Sequence, residues 1–407
     1  MALVVQKFGG TSVADGTRIQ RVAARVAETR RAGNEVVVVV SAMGSTTDDL
    51  IALADEMNPD PPAREMDMLL TAGERISMSL LAMALDAEGV HAVSFTGSQA
   101  GILTDTEHGA AKITAITGER VRNALDDGTV VIVAGFQGVS PETREVTTLG
   151  RGGSDASAVA LAAALGADAC EIYTDVDGVF TADPRVVPDA RKLDEVTFEE
   201  MLELAAQGSR VLMARSVEFG RRFGIPIHVR SSFNDRPGTW VKETTMEQAI
   251  ISGIAHDTSE AKVTVSDVPD TPGVAADLFE LLAEESVNVD MIVQNVSSEG
   301  RTDISFTVPE EALAVAESVA TRARGQLGAA AVSVDAGIAK VSLVGAGMKT
   351  EPGVAARLFR ALAAADINIE MISTSTIRVS VIVDEGDAAA AVRTLAEEFD
   401  LTDRVGP

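Results

Sequence analysis

A short apolar stretch near the start of the chain, Leu3 to Gln6, is followed by the sequence Lys-Phe-Gly-Gly-Thr-Ser at 7–12. Lys7 ends the predicted strand with a fixed positive charge, and Gly9 and Gly10 leave the backbone beside it free of side chains. Main-chain N–H groups in such a turn can approach a phosphate closely. The spacing indicates an anion site, although many strand-to-helix turns carry glycines for steric reasons alone.

A second glycine cluster, Thr-Thr-Leu-Gly-Arg-Gly-Gly-Ser-Asp at 147–155, opens a predicted helix at Ser154 or Asp155. Two glycine-lined anion sites in one domain indicate two anionic ligands. Arg151 presents a planar fork suited to a carboxylate or a phosphate. Asp155 can hold an ammonium group or a metal-bound water, or it can simply cap the helix N-terminus.

The elements that must position these residues alternate between strand and helix through residues 1–231, which is typical of an α/β domain with a largely parallel central sheet. Five consecutive valines at 36–40 predict a strand that helices cover on both faces. Residues 232–248 are the predicted linker. Further strands are predicted at Val90 to Phe95, Val130 to Ala134, Ala169 to Thr174 and Pro226 to Arg230.

The chain has 407 residues, of which 46% are hydrophobic, enough for two or three domains. Its 34 basic and 61 acidic residues give a net charge of −27, which argues against nucleic acid or an anionic membrane as a partner. No segment approaches the roughly twenty uninterrupted apolar residues of a membrane span, and a cytoplasmic location is expected. Cys170 is the only cysteine, which excludes an internal disulfide and a cysteine-based zinc site.

The C-terminal region contains a repeat, because segments 270–292 and 350–372 align without a gap at a spacing of 80 residues. In each copy an amphipathic helix follows Pro-Gly-Val, and the next strand is predicted to begin at Asn288 or Asn368. Duplication of one small domain explains the match.

Each copy reads as strand, helix, strand, strand, helix, strand, which predicts two ferredoxin-like βαββαβ domains at 262–338 and 339–407. The second copy lacks a convincing last strand because its final residues are short and polar. The apolar segment 249–256 is the expected donor that completes its sheet.

Together with Lys7, Arg151 and Asp155, the motifs along the chain resemble those of the amino acid kinase family and, within it, of the aspartate kinases. The doubled C-terminal domains resemble the ACT domains that these enzymes carry. The resemblance implies a three-layer amino acid kinase-like domain at 1–231 followed by two ACT domains. The matching motifs lie at 7–13, 40–44, 69–75, 94–101, 147–155 and 174–185.

The reaction implied by the resemblance is transfer of the γ-phosphoryl group of ATP to the side-chain carboxylate of L-aspartate, the first step toward lysine, threonine and methionine. Two anions must meet in line, so catalysis depends on positioning and on charge neutralisation. Lys7 and Asp155 are the implied catalytic residues. Mg²⁺ is expected to be held mostly by the phosphates and water, with no protein metal site.

For the acceptor, the resemblance places the α-carboxylate on Arg151 and the ammonium near Glu74. Glu74 lies in an otherwise apolar helical segment, where a free carboxylate is costly, and a structural salt bridge to Arg75 or Lys7 is the alternative. The other implied substrate-binding residues are Ser41 and Thr47, which hold the reacting carboxylate, and Gly152, Gly153 and Ser154.

For the nucleotide, the resemblance implies contacts from the first glycine cluster and from a loop after a predicted strand. Asp175 and Asp177 can instead cap the turn. Arg210 stands where the family often has a lysine, and it keeps the charge without the reach of an ammonium. The implied ATP-binding residues are Lys7, Phe8, Gly9, Gly10, Thr174, Asp175, Phe180, Asp183, Arg185 and Arg210.

Each repeat places Pro-Gly at a helix N-terminus, where free N–H groups suit an amino acid carboxylate. In an isolated module this motif would only start a helix. With the resemblance, the implied effectors are lysine and threonine, one or both, which stabilise a less active state. The implied effector-binding residues are Asp270, Gly273, Val274, Asn288, Gln294, Asn295, Ser297, Thr350, Gly353, Val354, Asn368, Ile369 and Ser373.

Edge strands of ACT domains commonly pair between chains, so a homodimer is expected. Met246 offers an internal start for a separate regulatory subunit, which would give a heterotetramer. Two other functions stay open: a kinase of the same fold with another acceptor, such as glutamate, N-acetylglutamate, carbamate or UMP, and a non-catalytic amino acid sensor.

Overall fold

The computed structural model describes residues 1–243, 250–294, 300–349 and 351–403. The chain divides into two compact units. The first contains 1–179, 192–205 and 210–247, and the second contains 180–191, 206–209 and 248–407. Part of the predicted nucleotide loop, from residue 180 onward, therefore belongs to the second unit.

The first unit is built around a sheet with the strand order β10-β12-β11-β9-β1-β2-β6-β3, in which only the β11–β12 pair is antiparallel among the described strands. A smaller sheet has the order β5-β4-β7-β8. The strands are β1 (Leu3–Phe8), β2 (Glu35–Val40), β3 (Ala92–Phe95), β4 (Ile102–Thr104), β5 (Ile113–Ile116), β6 (Val130–Ala134), β7 (Gln137–Val139), β8 (Val146–Thr148), β9 (Ala169–Thr174), β10 (Glu195–Thr197), β11 (Ile227–Ser231) and β12 (Thr239–Lys242). The helices are α1 (Gly16–Arg31), α2 (Thr46–Met57), α3 (Ala63–Ala87), α4 (Glu119–Asp126), α5 (Gly153–Leu165), α6 (Phe198–Ala206) and α7 (Ala214–Phe223).

Strand β2 lies inside the sheet, and its valines are buried on both faces. Val36, Val38 and Val40 join a core with α1 and α3, while Val37 and Val39 are also fully buried. Helix α5 packs on β1 and β2. The valine run therefore forms a strand covered by helices on both sides, as its composition predicts.

Helix α3 alone, in the part of the chain that the structure describes, is long and apolar enough to cross a membrane by length and composition. The buried core helix of a soluble protein passes the same test. In α3, 44% of the most apolar 18-residue segment is buried inside the structure. Asp67 and Glu74 are among its buried residues.

The second unit holds two antiparallel sheets, ordered β15-β16-β14-β17 and β13-β18-β20-β19. The strands are β13 (Gly253–Asp257), β14 (Glu260–Pro269), β15 (Ile292–Gln294), β16 (Arg301–Pro309), β17 (Ala331–Asp335), β18 (Ile338–Val344), β19 (Met371–Thr374) and β20 (Arg378–Asp384). The helices are α8 (Val274–Glu284), α9 (Leu313–Leu327), α10 (Val354–Ala364) and α11 (Ala388–Glu398). This architecture, with the parallel-rich sheet of the first unit, confirms the predicted fold class.

The segment before the first repeat contributes to the sheet of the second, because β13 pairs antiparallel with β18 from Gly253 opposite Val344 to Asp257 opposite Lys340. The core of that sheet also receives Ala182, Val187 and Ala190 from the segment 180–191.

Two lysines at equivalent places in the repeat connect the two sheets. Lys262 in β14 pairs with Glu370, and Lys340 in β18 pairs with Asp290 and Glu260. The side chain of Lys340 is only 1% exposed, so this charge depends on its carboxylate partners. Burial lowers the pKa of Lys340, but attraction to Glu260 and hydrogen bonds to the carboxylates outweigh it and raise the pKa overall.

The predicted starts of the strands after the repeat helices are wrong. Strands β15 and β19 begin at Ile292 and Met371, beyond Asn288 and Asn368. Left-handed residues Ser286 and Asp366 first turn the chain away from each helix, so the asparagines precede the ladder.

Candidate active site

A cavity of about 560 Å³ opens in the first unit, where strand ends meet α2, α3 and the N-terminus of α5. Lys7 lies near the end of β1, Ser41 follows β2, and Thr47 lies in the first turn of α2. The cavity lining includes all the residues predicted to act on the amino acid, namely Lys7, Ser41, Thr47, Glu74, Arg151, Gly152, Gly153, Ser154 and Asp155.

Lys7 and Asp155 form an ion pair, with 2.6 Å between Lys7 Nζ and Asp155 Oδ1. Both side chains are largely buried, at 12% and 11% exposure, so water screens the pair weakly. Asp155 also lies in the first turn of α5, where the helix dipole favours a negative charge. The carboxylate thus holds the ammonium group of Lys7 at the wall of the cavity.

Glu74 is a buried carboxylate with little compensation. Its Oε1 accepts a hydrogen bond from the Ala42 N–H at 3.1 Å, and its Oε2 has no partner among the described residues. Neither salt bridge considered from the sequence is found, because Lys7 pairs with Asp155 and Arg75 is exposed. Burial raises the pKa of Glu74 from 4.5 to about 7.

The turn that carries Arg151 requires glycine on both sides. Gly150 and Gly152 have φ angles of 75° and 71°, in the left-handed region that side chains rarely adopt. A Cβ atom on Gly152 would also lie 2.1 Å from Met213 Cγ. The Arg151 side chain is exposed within this turn and lines the cavity.

The first glycine cluster forms a tight turn. Gly9 donates a backbone hydrogen bond to the Tyr173 carbonyl at 3.3 Å, and a 3-10 helix follows from Gly10 to Val13. A Cβ atom on Gly10 would lie 3.0 Å from the Ala42 carbonyl oxygen. Phe8 is fully buried and stacks on Tyr173, so only its main chain can contact a nucleotide.

The other predicted nucleotide residues are spread over both units. Thr174 ends β9 in the first unit, and its hydroxyl donates a hydrogen bond of 3.1 Å to the carboxylate of Asp175, the next residue. Arg210, also in the first unit, is exposed. In the second unit, Phe180 packs on the core of the β13-β18-β20-β19 sheet, and Asp183 pairs with Arg185 at 2.7 Å.

Asp177 pairs with side chains of a distant segment of the first unit. Its carboxylate accepts hydrogen bonds from the Asn234 amide at 2.7 Å and from Arg236 at 2.9 Å. These contacts, led by the Asn234 bond, lower the pKa of Asp177.

The predicted effector residues gather at the helix starts and strand ends of the second unit. Gly273 and Gly353 immediately precede Val274 and Val354, with φ angles of 106° and 99°. Asp270, Asn288, Gln294 and Asn368 are exposed, and Ile369 and Ser373 are half-buried. Asn295, Ser297 and Thr350 lie outside the described residues, as does Met246.

The cavity also has lining residues that sequence reasoning missed. Asp67 lies seven residues before Glu74 and shares its face of α3, a spacing that could have drawn attention to it. Phe136 adopts a left-handed conformation, with φ of 68°, at the wall of the cavity. No local sequence signal marks that conformation, because aromatic residues rarely adopt it.

Comparison with known proteins supplies the family. The profile of the Amino acid kinase family matches residues 2–231, and the ACT domain profile matches 263–323 and 341–399. The chain belongs to the amino acid kinase family, in its aspartokinase branch. The aspartokinase of Mycolicibacterium smegmatis is 59% identical over 98% of this chain and 97% of its own length.

Solved aspartokinases share the whole fold. Aspartokinase III of Escherichia coli, in complex with aspartate and ADP in the R-state, is 28% identical with a TM-score of 0.84, covering 97% of this chain and 99% of that one. The same enzyme with lysine and aspartate, in the T-state, has a TM-score of 0.76 at 28% identity and covers 98% and 100%.

Proposed function

We propose that this aspartokinase-branch protein transfers the γ-phosphoryl group of ATP to the side-chain carboxylate of L-aspartate, giving 4-phospho-L-aspartate and ADP. The observation that carries the proposal is the set of charges in one cavity of the first unit. A buried carboxylate with no ion pair among the described residues, a cationic guanidinium and a largely buried lysine line the same space. These charges complement the ammonium and the carboxylates of an acidic amino acid.

Glu74 is the ammonium site in this proposal. Its carboxylate is buried, and Oε2 has no partner among the residues that the structure describes. An incoming cation is therefore favourable, because it compensates a carboxylate that has lost its water. Arg151 takes the α-carboxylate through its guanidinium fork. With both ends of the amino acid held, the side-chain carboxylate is directed toward Ser41 and Thr47.

Lys7 serves the phosphoryl transfer. A carboxylate oxygen of the substrate attacks the γ-phosphorus, and the bond from that phosphorus to the β,γ-bridging oxygen of ADP breaks. Negative charge moves onto the bridging oxygen, and the ammonium of Lys7 stabilises it. Asp155, 2.6 Å from Lys7 Nζ, holds the ammonium group in place.

The nucleotide contacts and Mg²⁺ belong to the same proposal. The candidate contacts to ATP outside the first glycine cluster are Thr174, Asp175, Phe180, Asp183, Arg185 and Arg210. Within the described ranges, no group of three or more His, Cys, Asp and Glu side chains could hold a metal ion. Mg²⁺ would therefore bind through phosphate oxygens and water, and when bound it would neutralise phosphate charge.

Regulation by pathway end products completes the proposal. The lysine complex of the Escherichia coli enzyme, at 28% identity, supports lysine as an effector here, with threonine as the further candidate. Binding to the helix starts after Gly273 or Gly353 would favour a less active state. We also propose that the protein is cytoplasmic and acts in the synthesis of lysine, threonine and methionine. It would form a homodimer, or a heterotetramer with a regulatory subunit whose translation starts near Met246.

The test is ATP-dependent acyl phosphate formation, trapped with hydroxylamine, for wild type, Glu74→Gln and Arg151→Lys. The proposal predicts an acyl phosphate with L-aspartate and none with L-glutamate, N-acetylglutamate or carbamate, and it predicts no UDP from UMP in a separate chromatographic assay. Both variants should raise the KM for L-aspartate more than the KM for ATP. Product with another acceptor would assign a different kinase of this fold, and folded protein without product would assign an amino acid sensor.

A further inference from the structure

The cavity wall next to Arg151 contains a loop, residues 105–112, that lies along the end of β8. The Ala111 N–H donates a hydrogen bond to the Thr148 carbonyl at 2.9 Å. Gly109 and Thr148 both line the cavity. Strand β8 leads through Leu149 directly into the turn that begins at Gly150, so the position of Arg151 depends on how firmly this strand end is held.

Asp67 connects the loop and the strand from the side of α3. Its carboxylate accepts hydrogen bonds from Thr148 Oγ1 at 2.5 Å and from the Gly109 N–H at 3.1 Å. His108 Nδ1 lies 2.6 Å from the other oxygen, and His108 Nε2 lies 3.4 Å from Glu145. The Asp67 side chain is 1% exposed, so these partners replace its water.

Arg215 connects the same two segments from α7. Its guanidinium donates to the Leu149 carbonyl at 3.0 Å and to the Ala111 carbonyl at 2.9 Å. Arg215 does not line the cavity. Two side chains thus bridge the loop and the strand end. Asp67 accepts hydrogen bonds from Gly109 and Thr148. Arg215 donates hydrogen bonds to the carbonyls of Ala111 and Leu149.

We propose that Asp67 and Arg215 are positioning residues for the amino acid substrate: together they fix the loop 105–112 against β8 and so hold the turn that presents Arg151. The inference rests on the proposed role of Arg151 in binding the α-carboxylate. It adds two residues that do not touch the reacting atoms. A guanidinium on a glycine-flanked turn would otherwise lose conformational freedom each time substrate binds, which weakens binding.

Arg215→Met and Thr148→Val test the two bridges, and Thr147→Val is the matched control. Thr147 is the neighbouring buried threonine of β8, and its hydroxyl pairs with Thr104 at 2.6 Å instead of with Asp67. Arg215→Lys keeps the charge but cannot reach both carbonyls as a fork, so it covers the case in which Arg215→Met does not fold.

The first readout is amide hydrogen exchange of peptides covering 105–112 and 149–153 in the protein without substrate. We expect at least about tenfold faster exchange in Arg215→Met and Thr148→Val, since each loses hydrogen bonds of a charged group. Thr147→Val should exchange like wild type in these peptides. This readout needs no substrate, so it separates the inference from the proposed function.

The second readout is steady-state kinetics. We expect the KM for L-aspartate to rise about tenfold in both bridge variants, while the KM for ATP changes less than about twofold. Thr147→Val should leave both KM values unchanged. Unchanged exchange in the Arg215 variants, equal effects on the two KM values, or the same effects in Thr147→Val would overturn the inference. Absence of aspartate phosphorylation in wild type would instead refute the proposed function.

Discussion

Glu74 offers a prediction in which stability and binding should move in opposite directions. Burial raises the pKa of this carboxyl from 4.5 to about 7, and its Oε2 has no partner among the described residues. A raised pKa means that its contribution to stability is fully present below pH 4.5 and is lost as the pH rises through about 7. Above that pH the wild-type protein carries an ionised, poorly solvated carboxylate.

Glu74→Gln keeps the shape and removes the charge. A shift of this size corresponds to about 3 kcal/mol at about 1.4 kcal/mol per pH unit, and the unpaired amide of the new side chain offsets part of it. We therefore expect the variant to be more stable than wild type by about 1 to 3 kcal/mol at pH 8.5 and no more stable at about pH 4. The KM for L-aspartate should rise at least about 100-fold, because the ammonium loses its charged partner.

The assay is urea-induced unfolding at both pH values, followed by the fluorescence of Trp240. This is the only tryptophan of the chain and it lies in the first unit, so the signal reports on the unit that contains Glu74. Glu200→Gln is the matched control. Glu200 is also buried, but its carboxylate accepts hydrogen bonds from the Thr197 N–H and hydroxyl, so this variant should be destabilised at pH 8.5.

Two results would refute the reasoning. Loss of stability in Glu74→Gln at pH 8.5 would mean that the ionised carboxylate is compensated within the protein. An unchanged KM for L-aspartate in a stabilised variant would mean that Glu74 is costly but is not the ammonium site.

Three further variants test other parts of the structure. Lys7→Met should lower kcat at least about 100-fold and destabilise the first unit, because it removes a positioned charge and leaves Asp155 unpaired; kcat near wild type would remove Lys7 from the mechanism. Lys340→Met should lower the free energy of unfolding by about 3 to 5 kcal/mol, because it leaves the buried carboxylate of Glu260 without its cation. Lys262→Met should lower it by about 1 kcal/mol, because the Lys262 side chain is more exposed. Equal losses in urea titrations would contradict the inference that burial sets the cost of removing each lysine. Gly353→Ala should raise the lysine or threonine concentration for half-inhibition about tenfold, because φ at this position is 99°; unchanged inhibition would separate this helix start from the effector site.

Much of the first unit could be predicted from local pattern. The valine run gave a central strand, and predicted strands at 130–134 and 169–174 have the same bounds in the structure. The motif resemblance is confirmed by the family profile and by relatives of high identity. The residues it assigned to the amino acid line one cavity, because carboxyl ends of parallel strands meet at one edge of the sheet.

Features that depend on distant contacts were missed. Asp67 draws its partners from His108 and Thr148, 41 and 81 residues away, and no local period reveals such a bridge. Residues 180–185 resemble part of a nucleotide-binding loop, yet Ala182 belongs to a core of the second unit and Phe180 packs against that core. The predicted starts of β15 and β19 are too early, because the chain turns at the left-handed residues Ser286 and Asp366 before strand pairing begins. These are effects of tertiary packing on segments whose own sequence allows several placements.

The most direct test of the central claim is to identify which carboxylate of L-aspartate becomes phosphorylated. The acyl phosphate formed with ATP and Mg²⁺ is trapped with hydroxylamine, and the hydroxamate is compared with authentic α- and β-aspartyl hydroxamates by chromatography and mass spectrometry. With the α-carboxylate on Arg151 and the ammonium at Glu74, only the β-aspartyl product is expected. An α-aspartyl product, or a mixture of both, would contradict the binding orientation on which the account depends.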